Sequence, residues 1–320
     1  MELLFVVMAV AFAFVSGAND GATLAAMGTR TGALSILSAV LLLVAAVAVV
    51  PAAVGTNVAT TLAHGLVAFE ARGGRLAFLL AVVSALAVVL VLTRRGLPTS
   101  VTLALNGAIV GVGVGAGLAL SWVTVAVVVA AGLLGPFLVF GAGFVLAPAV
   151  RLALGNPSAG QGRSRLLQRL GFLLQSVAYG ANDAEKMVAF MAVATGASLD
   201  PVRTSALDQV ALATCFGAGA LFAMRRLSMR LTEQMVRVRN ENSLSALVAS
   251  SVVVLAGSAL GLPLSSTQSS TAGLLGGTER VAPQRVRPQQ VVALLMAWAA
   301  TLPSAALLAA LGGLIVRATR

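Results

Sequence analysis

The sequence GAND at residues 17–20 returns as GAND at residues 180–183, at an offset of 163 positions (183 − 20). A second pair of motifs follows in the same order. GLPTSVT at residues 96–102 is matched by GLPLSST at residues 261–267, at an offset of 165 (263 − 98). Two unrelated peptides that recur in the same order at nearly the same offset indicate that the chain consists of two homologous halves.

The sequence around these motifs is strongly apolar. Hydrophobic residues make up 59% of the 320 residues and charged residues 10%, whereas soluble domains carry about 25% charged residues. A membrane-spanning helix needs roughly 20 mainly apolar residues, and we expect the first span at residues 1–15, retained in the mature protein. Further apolar runs cover residues 34–54, 76–92, 122–150, 244–260 and 291–316. The composition predicts an all-α, multi-pass integral membrane protein.

The net charge of +11 comes from arginines in short segments between apolar runs, and aromatic residues that could stack on bases are only 5% of the chain. Such arginines set membrane topology rather than bind a polyanion, so no nucleic-acid partner is predicted. We expect a first transmembrane repeat at residues 1–150, a basic cytoplasmic loop at 151–169 and a second repeat at 170–320. A second arginine cluster at residues 225–239 is expected on the same side, and the side of the N-terminus stays open.

The chain has few groups for catalysis. His64 is its only histidine and Cys215 its only cysteine. Neither a histidine-based metal cluster nor a catalytic triad can be assembled in the usual form. The sequence therefore predicts neither an enzyme nor a cofactor.

Both GLP motifs interrupt apolar sequence. Proline cannot donate a backbone hydrogen bond, and a break inside a membrane is tolerated only where protein or a water-filled cavity satisfies the freed groups. Broken segments at corresponding places in two halves indicate the binding site of a transporter.

Acidic side chains suggest a cation or proton site. Asp20 and Asp183 end long apolar runs, where a carboxylate is costly and usually faces a cavity or a partner. Together with asparagine and backbone oxygens, the two carboxylates offer the ligands that a hard cation prefers. A helix-capping role is the alternative. The repetition of the aspartate in both halves favours the cation or proton site. Glu241 is a candidate third ligand, or a solvated residue near the arginines of residues 237–239. Glu185 and Lys186 either pair with each other or line the pathway.

Hydroxyl groups suggest an oxyanion site. They follow the two helix breaks, where free backbone N–H groups and the helix dipole also favour an anion. Hydrogen bonding between helices is the alternative role for such side chains. The residues concerned are Ser100, Thr102, Ser265 and Thr267.

Together, the paired GAND and GLP motifs and the central basic segment resemble the inorganic phosphate transporter (PiT) family over nearly the whole chain. The resemblance implies inverted repeats with two re-entrant hairpins, and phosphate symport with sodium ions or protons. It places Asn19, Asp20, Asn182 and Asp183 at the central site and Glu241 at the cation site. Phosphate-facing hydroxyls would come from Ser100, Thr102, Ser265, Ser266 and Thr267.

The chain departs from the family pattern near these motifs. Leu103 and Gln268 stand where the family has histidine after its serine-threonine motif, and Tyr179 replaces a third histidine. Glu185 replaces a glutamine and Thr23 an asparagine. These changes indicate a divergent member of the family. One interpretation is that its substrate or coupling ion has changed, and sulfate is then the alternative substrate to phosphate.

We therefore expect about ten to twelve membrane segments, two of them re-entrant hairpins, arranged as two inverted repeats. The predicted function is cation-coupled symport of inorganic phosphate across the cell membrane by alternating access. The predicted partners are phosphate, a sodium ion or proton held by Asp20, Asp183 and Glu241, and the lipid bilayer; a homodimer is left open. A sulfate or other oxyanion permease of the same fold is the alternative, and an anion channel is a weaker one.

Overall fold

The computed structural model describes residues 2–30, 32–95, 99–154, 161–196, 202, 204–224 and 240–319, which are almost entirely helical and contain no β-strand. The helices of the first half are α1 (Glu2–Ser16), α2 (Ala22–Arg30), α3 (Ile36–Val54), α4 (Asn57–Thr60), α5 (Gly74–Arg94), α6 (Val101–Ala116) and α7 (Trp122–Leu154). Those of the second half are α8 (Gln161–Tyr179), α9 (Glu185–Thr195), α10 (Ala206–Met224), α11 (Asn240–Ala259), α12 (Ser266–Val281) and α13 (Pro288–Ala318).

Seven helices within the described ranges are long and apolar enough to cross a membrane. Large apolar side chains lie on the outside of the bundle; Val123 on α7 is 78% exposed and Leu307 on α13 is 70% exposed. Such surfaces suit lipid rather than water. The prediction of an all-α, multi-pass membrane protein is confirmed. The candidate spanning segments, by length and composition, are Leu3–Thr29, Ile36–Val54, Gly74–Arg94, Trp122–Leu154, Ala206–Met224, Asn242–Ala259 and Val291–Ala318.

The two GAND motifs form wide helical turns, so the helix continues through each motif. Residues Gly17–Gly21 join α1 to α2, and residues Gly180–Ala184 join α8 to α9, each as one π-helical turn. A turn of this kind fits an extra residue into a helix and is frequent at functional sites. Gly17 is required because a Cβ there would overlap the carbonyl group of Phe216 on α10.

Two helical hairpins, α5 with α6 and α11 with α12, correspond to the two GLP motifs; the second motif lies at the tip between α11 and α12, and residues 96–98 of the first lie outside the described residues. In the first, an antiparallel bridge between Val67 and Leu120 brings the start of α5 and the end of α6 together. In the second, the Asn242 amide at the start of α11 donates to the Thr278 hydroxyl near the end of α12 at 2.9 Å. Whether these hairpins are re-entrant in a membrane stays a prediction.

The two halves interlock. Helix α6 of the first hairpin packs along α13, and α12 of the second hairpin packs along α7. In the same way α1 packs on α10 and α3 on α8. Close approach along α6 depends on glycines, because added Cβ atoms would overlap the carbonyl groups of α13. The glycines are Gly107, Gly111 and Gly115, which face Leu302, Ala306 and Ala310 respectively.

The basic segment between the halves is largely helical, which corrects the expected loop at residues 151–169. Helix α7 continues to Leu154 and α8 begins at Gln161, and the sequence between them lies outside the described residues. The segment can be helical because its arginines lie on an exposed face; Arg163 and Arg165 are exposed, and Arg169 donates to the Ala33 carbonyl at 2.8 Å. The second arginine cluster, at residues 225–239, also lies outside the described residues.

Helix α9 runs through the middle of the bundle. Its residues are buried from Glu185 to Ala194, including the charged side chains of Glu185 and Lys186. A helix buried on every side has no face to water or lipid. Its polar residues must therefore find partners inside the protein.

Candidate functional site

The carboxylates of Asp20 and Asp183 meet at the first turn of α12. The Thr267 hydroxyl donates to Asp20 Oδ1 at 3.1 Å, and the hydroxyl of its neighbour Ser266 donates to Asp183 Oδ2. Asp20 is 4% exposed and Asp183 is 3% exposed. Two acidic residues 163 positions apart in sequence, one from each half, are thus joined at the tip of the second hairpin.

The asparagines of the two GAND motifs have different partners. The Asn19 amide donates to Asp20 Oδ1 at 2.9 Å. The Asn182 amide donates at 3.0 Å both to the Ser258 hydroxyl and to the Leu262 carbonyl, which holds the motif against the tip of the second hairpin. The Asn182 Oδ1 atom is buried and accepts no hydrogen bond from any described residue. This oxygen is available to a ligand.

Lys186 lies at the centre of the site. Its ammonium group donates to Asp183 Oδ1 at 2.6 Å, to the Thr102 hydroxyl at 2.7 Å and to the Leu264 carbonyl at 2.7 Å. It contacts both hairpin tips, since Thr102 is in the first turn of α6 and Leu264 precedes α12. From sequence, Lys186 was expected to pair with Glu185 or to line the pathway; its position one helical turn after Asp183 fits the pair that the structure has instead.

Glu185 does not pair with Lys186. Its Oε2 atom accepts hydrogen bonds from the backbone N–H groups of Val58 at 2.7 Å and Ala59 at 3.1 Å. These groups belong to the short helix α4 of the first half. The carboxylate therefore connects the two halves at a position next to the Lys186 cluster.

Ser100 and Ser265 cap the helices that begin at the two hairpin tips. The Ser100 Oγ atom accepts from the Leu103 N–H at 3.1 Å, and the Ser265 Oγ atom accepts from the Gln268 N–H at 3.3 Å. A serine hydroxyl that accepts a bond through its oxygen can still donate its own proton. Each helix also begins with backbone N–H groups that have no partner within the helix. The two tips therefore offer the hydrogen-bond donors that an anion needs.

The backbone of Glu241 lies at the far end of the second hairpin from Thr267. Its backbone lies in the first turn of α11, and its side chain is outside the described residues. The next residue, Asn242, bonds Thr278 near the far end of α12 from Thr267. A helix rises about 1.5 Å per residue, so this end of the hairpin is about 16 Å from Thr267 along α12.

Comparison with known proteins identifies the family of this chain. A sequence model described as the phosphate transporter family matches residues 16–166 and again residues 153–309. The chain belongs to the phosphate transporter family. Since this is a family of transporters, the prediction that the chain is not an enzyme is also confirmed.

Individual members of the family are similar over most of the chain. A probable low-affinity inorganic phosphate transporter of Bacillus subtilis (strain 168) is 28% identical over 326 residues, which cover 99% of this chain and 97% of the relative. A protein of the same description from Mycobacterium tuberculosis (strain ATCC 25618 / H37Rv) is 30% identical over 331 residues, covering 96% and 76% respectively.

A solved structure shares the fold. The structure of a protein described as the sodium-dependent phosphate transporter superposes with a TM-score of 0.84 at 18% identity and covers 100% of this chain and 99% of that one. At this level of identity the likeness concerns the fold. The predicted fold class of the phosphate transporter family is thereby confirmed for this chain.

Four of the five residues that depart from the family pattern are uncharged, and the fifth is the buried Glu185. Leu103 packs with Trp298 in a small buried cluster, and Thr23 donates to the Asn19 carbonyl of its own helix at 2.7 Å. Tyr179 is fully buried beside Phe216, with ring centroids 5.2 Å apart. Within the described part of the chain, the Tyr179 hydroxyl and the Gln268 Oε1 atom have no hydrogen-bond partner.

Proposed function

We propose that the protein is a secondary active transporter that carries inorganic phosphate across the cell membrane in symport with a cation. The observation that carries the proposal is the meeting of Asp20 and Asp183 at the first turn of α12. Carboxylates from both halves, hydroxyl donors and helix N-termini are joined at one buried place. Such a place suits an anion together with a cation that offsets its charge.

Phosphate would bind at the two hairpin tips. The N-termini of α6 and α12 supply backbone N–H groups and the positive ends of helix dipoles. The hydroxyls of Ser100, Thr102, Ser265, Ser266 and Thr267, with the amides of Asn19 and Asn182, are the proposed substrate ligands. These donors are neutral, and the Lys186 ammonium beside them is already bonded to Asp183; a cluster of buried arginines would hold an oxyanion too tightly to release it.

The coupling cation would bind at Asp20. Both hydrogen bonds that Asp20 accepts reach its Oδ1 atom and come from neutral groups, so no ammonium or guanidinium of the described residues bonds to it directly. Oxygen ligands of this kind suit sodium, the ion on which the structural neighbour is described as dependent, and a proton is the other candidate. Asp183 belongs to the same site. The cation role of Glu241 stays a prediction from sequence.

The interlocked halves support alternating access. Each hairpin packs against a long helix of the other half, and its tip carries part of the site. Rocking of one half against the other would therefore expose the tips first to one side and then to the other. Coupling to a cation would allow phosphate uptake against an inside-negative potential.

Uptake of radiolabelled phosphate into proteoliposomes tests the proposal, with imposed sodium or proton gradients and unlabelled sulfate as competitor. We expect gradient-driven uptake that sulfate does not inhibit. Asp20→Asn should reduce this uptake by about tenfold or more, corresponding to about 1.4 kcal/mol of cation binding. Asp208→Asn is the matched control, since Asp208 lies at the start of α10 and bonds only Ser205 among the described residues.

Two results would contradict the proposal. Normal cation-coupled phosphate uptake by the Asp20→Asn variant would show that the coupling cation does not bind at Asp20. Uptake of sulfate without uptake of phosphate would make the protein an oxyanion permease of the same fold with a changed substrate.

A further inference from the structure

The ammonium group of Lys186 is held as a small cation would be. Its three contacts are a carboxylate, a hydroxyl and a backbone carbonyl, at 2.6 to 2.7 Å. A lysine ammonium has three N–H donors, so each has one acceptor here. The residue is 3% exposed. Hard metal cations such as sodium prefer the same kinds of oxygen.

The contacts of Lys186 also connect the parts of the proposed site. Asp183 lies in the second GAND motif, Thr102 at the tip of the first hairpin, and Leu264 at the tip of the second. The Thr102 hydroxyl in turn donates to the Leu264 carbonyl at 3.3 Å. The positive charge therefore lies where the two hairpin tips and a carboxylate converge.

The first half has no equivalent charge. The repeat offset of 163 relates Asp183 to Asp20 and Lys186 to Thr23. Thr23 bonds a carbonyl of its own helix rather than Asp20. The two related carboxylates thus differ in one respect, because Asp183 bonds an ammonium group directly and Asp20 accepts hydrogen bonds only from neutral groups.

We infer that the Lys186 ammonium is a built-in cation that occupies, at Asp183, the position that an exchangeable coupling ion would otherwise take. The inference rests on the proposed function and deepens it. Of the two aspartates, only Asp20 then binds an exchangeable cation. Each phosphate crosses the membrane with one positive charge fewer than it would if both aspartates bound exchangeable cations. Lys186 is a specificity-determining residue for the coupling ratio.

Replacement of the lysine should turn the built-in site into an exchangeable one. Lys186→Met keeps the unbranched apolar stem of the side chain, removes the ammonium group and leaves the oxygens of Asp183, Thr102 and Leu264 without a cation. In proteoliposomes loaded with radiolabelled sodium and phosphate, we expect the variant to move more sodium per phosphate than the parent, with a steeper dependence of uptake on sodium concentration. Arg94→Met, at the exposed end of α5, is the control for loss of a positive charge elsewhere.

A binding measurement separates this inference from the proposed function. The melting temperature of detergent-solubilised Lys186→Met should rise more in sodium chloride than in choline chloride, and by a larger margin than in the parent, because a ligand that binds only the folded state stabilises it. This readout needs no phosphate transport. Failure of the parent to take up phosphate would overturn the proposed function, whereas equal sodium effects on both proteins would overturn the role of Lys186.

The reverse substitution keeps the inference testable if Lys186→Met does not fold. Thr23→Lys places an ammonium one helical turn after Asp20, as Lys186 is placed after Asp183. We expect phosphate exchange across the membrane to persist while stimulation by the cation gradient is lost. Thr23→Met is the matched control and should keep gradient stimulation; stimulation that persists in Thr23→Lys, or that is lost equally in both variants, would contradict the inference.

Discussion

Asp183 and Lys186 form a buried ion pair whose two members depend on each other. Both side chains are at most 4% exposed. Taking a charge out of water is costly, and removing one partner of such a pair leaves the other charge uncompensated. The pair is therefore a point of structural vulnerability as well as part of the proposed site.

Asp183→Asn should destabilise the protein by about 3–5 kcal/mol, because the Lys186 ammonium would lose its carboxylate partner while it stays buried. The double variant Asp183→Asn/Lys186→Met should recover part of this loss. Thermal unfolding in detergent measures both effects, with Asp208→Asn as the control for an aspartate outside the site. If Asp183→Asn is as stable as the parent protein, the buried Lys186 ammonium does not depend on Asp183 as its partner.

At the level of elements, the contact between α6 and α13 depends on the absence of side chains. A Cβ at Gly111 would overlap the Ala306 carbonyl of α13. By contrast, a Cβ at Gly141 on α7 would meet no atom within 4 Å. The two glycines therefore provide matched positions for testing this interface between the halves.

Gly111→Leu should separate α6 from α13 and destabilise the protein by about 1–3 kcal/mol or more, as overpacking does in close-packed interiors. Gly141→Leu should be neutral within about 1 kcal/mol, since leucine is the better helix former and its side chain has open space. Melting temperatures of the two purified variants check this prediction. Equal stability of the two variants would mean that α6 and α13 can lie further apart than they do in the structure without loss of stability.

At the scale of the whole molecule, α7 connects two parts of the chain that are expected on opposite sides of the membrane. Its 33 residues run from Trp122, beside the base of the first hairpin, to Leu154, before the basic start of α8. At about 1.5 Å per residue this helix is about 50 Å long, more than the thickness of a bilayer core. Glu70, close in sequence to the Val67–Leu120 bridge, and Arg165 on α8 are therefore expected on opposite sides.

The arginines of α8 should lie in the cytoplasm, following the positive-inside rule. In a Cys215→Ala background, Arg165→Cys should react with a membrane-impermeant maleimide in inverted vesicles but not in intact cells. Glu70→Cys should show the opposite pattern. Labelling of both positions from one side would contradict the crossing of α7, and a reversed pattern would contradict the predicted orientation.

Much of the architecture was predictable from sequence because its determinants are local or repeated. Apolar runs of spanning length lie within helices, and the paired motifs identified two halves and a common site for Asp20 and Asp183. Composition acts on each segment separately, so a helix long enough to cross a bilayer is recognisable without its neighbours. Equivalent motifs in related halves take equivalent places, which is why the two carboxylates were expected together.

The sequence by itself therefore determined the class of the protein, its helices, its duplication and the carboxylates at its centre. Only the tertiary structure decided that Lys186 bonds Asp183 rather than Glu185, and that Glu241 lies at the other end of a hairpin from the aspartates. The physical reason is distance along the chain: the other acceptors of the lysine, Thr102 and Leu264, are 84 and 78 residues away. A long, flexible, charged side chain in a buried helix takes whichever acceptors the packing of remote segments brings to it.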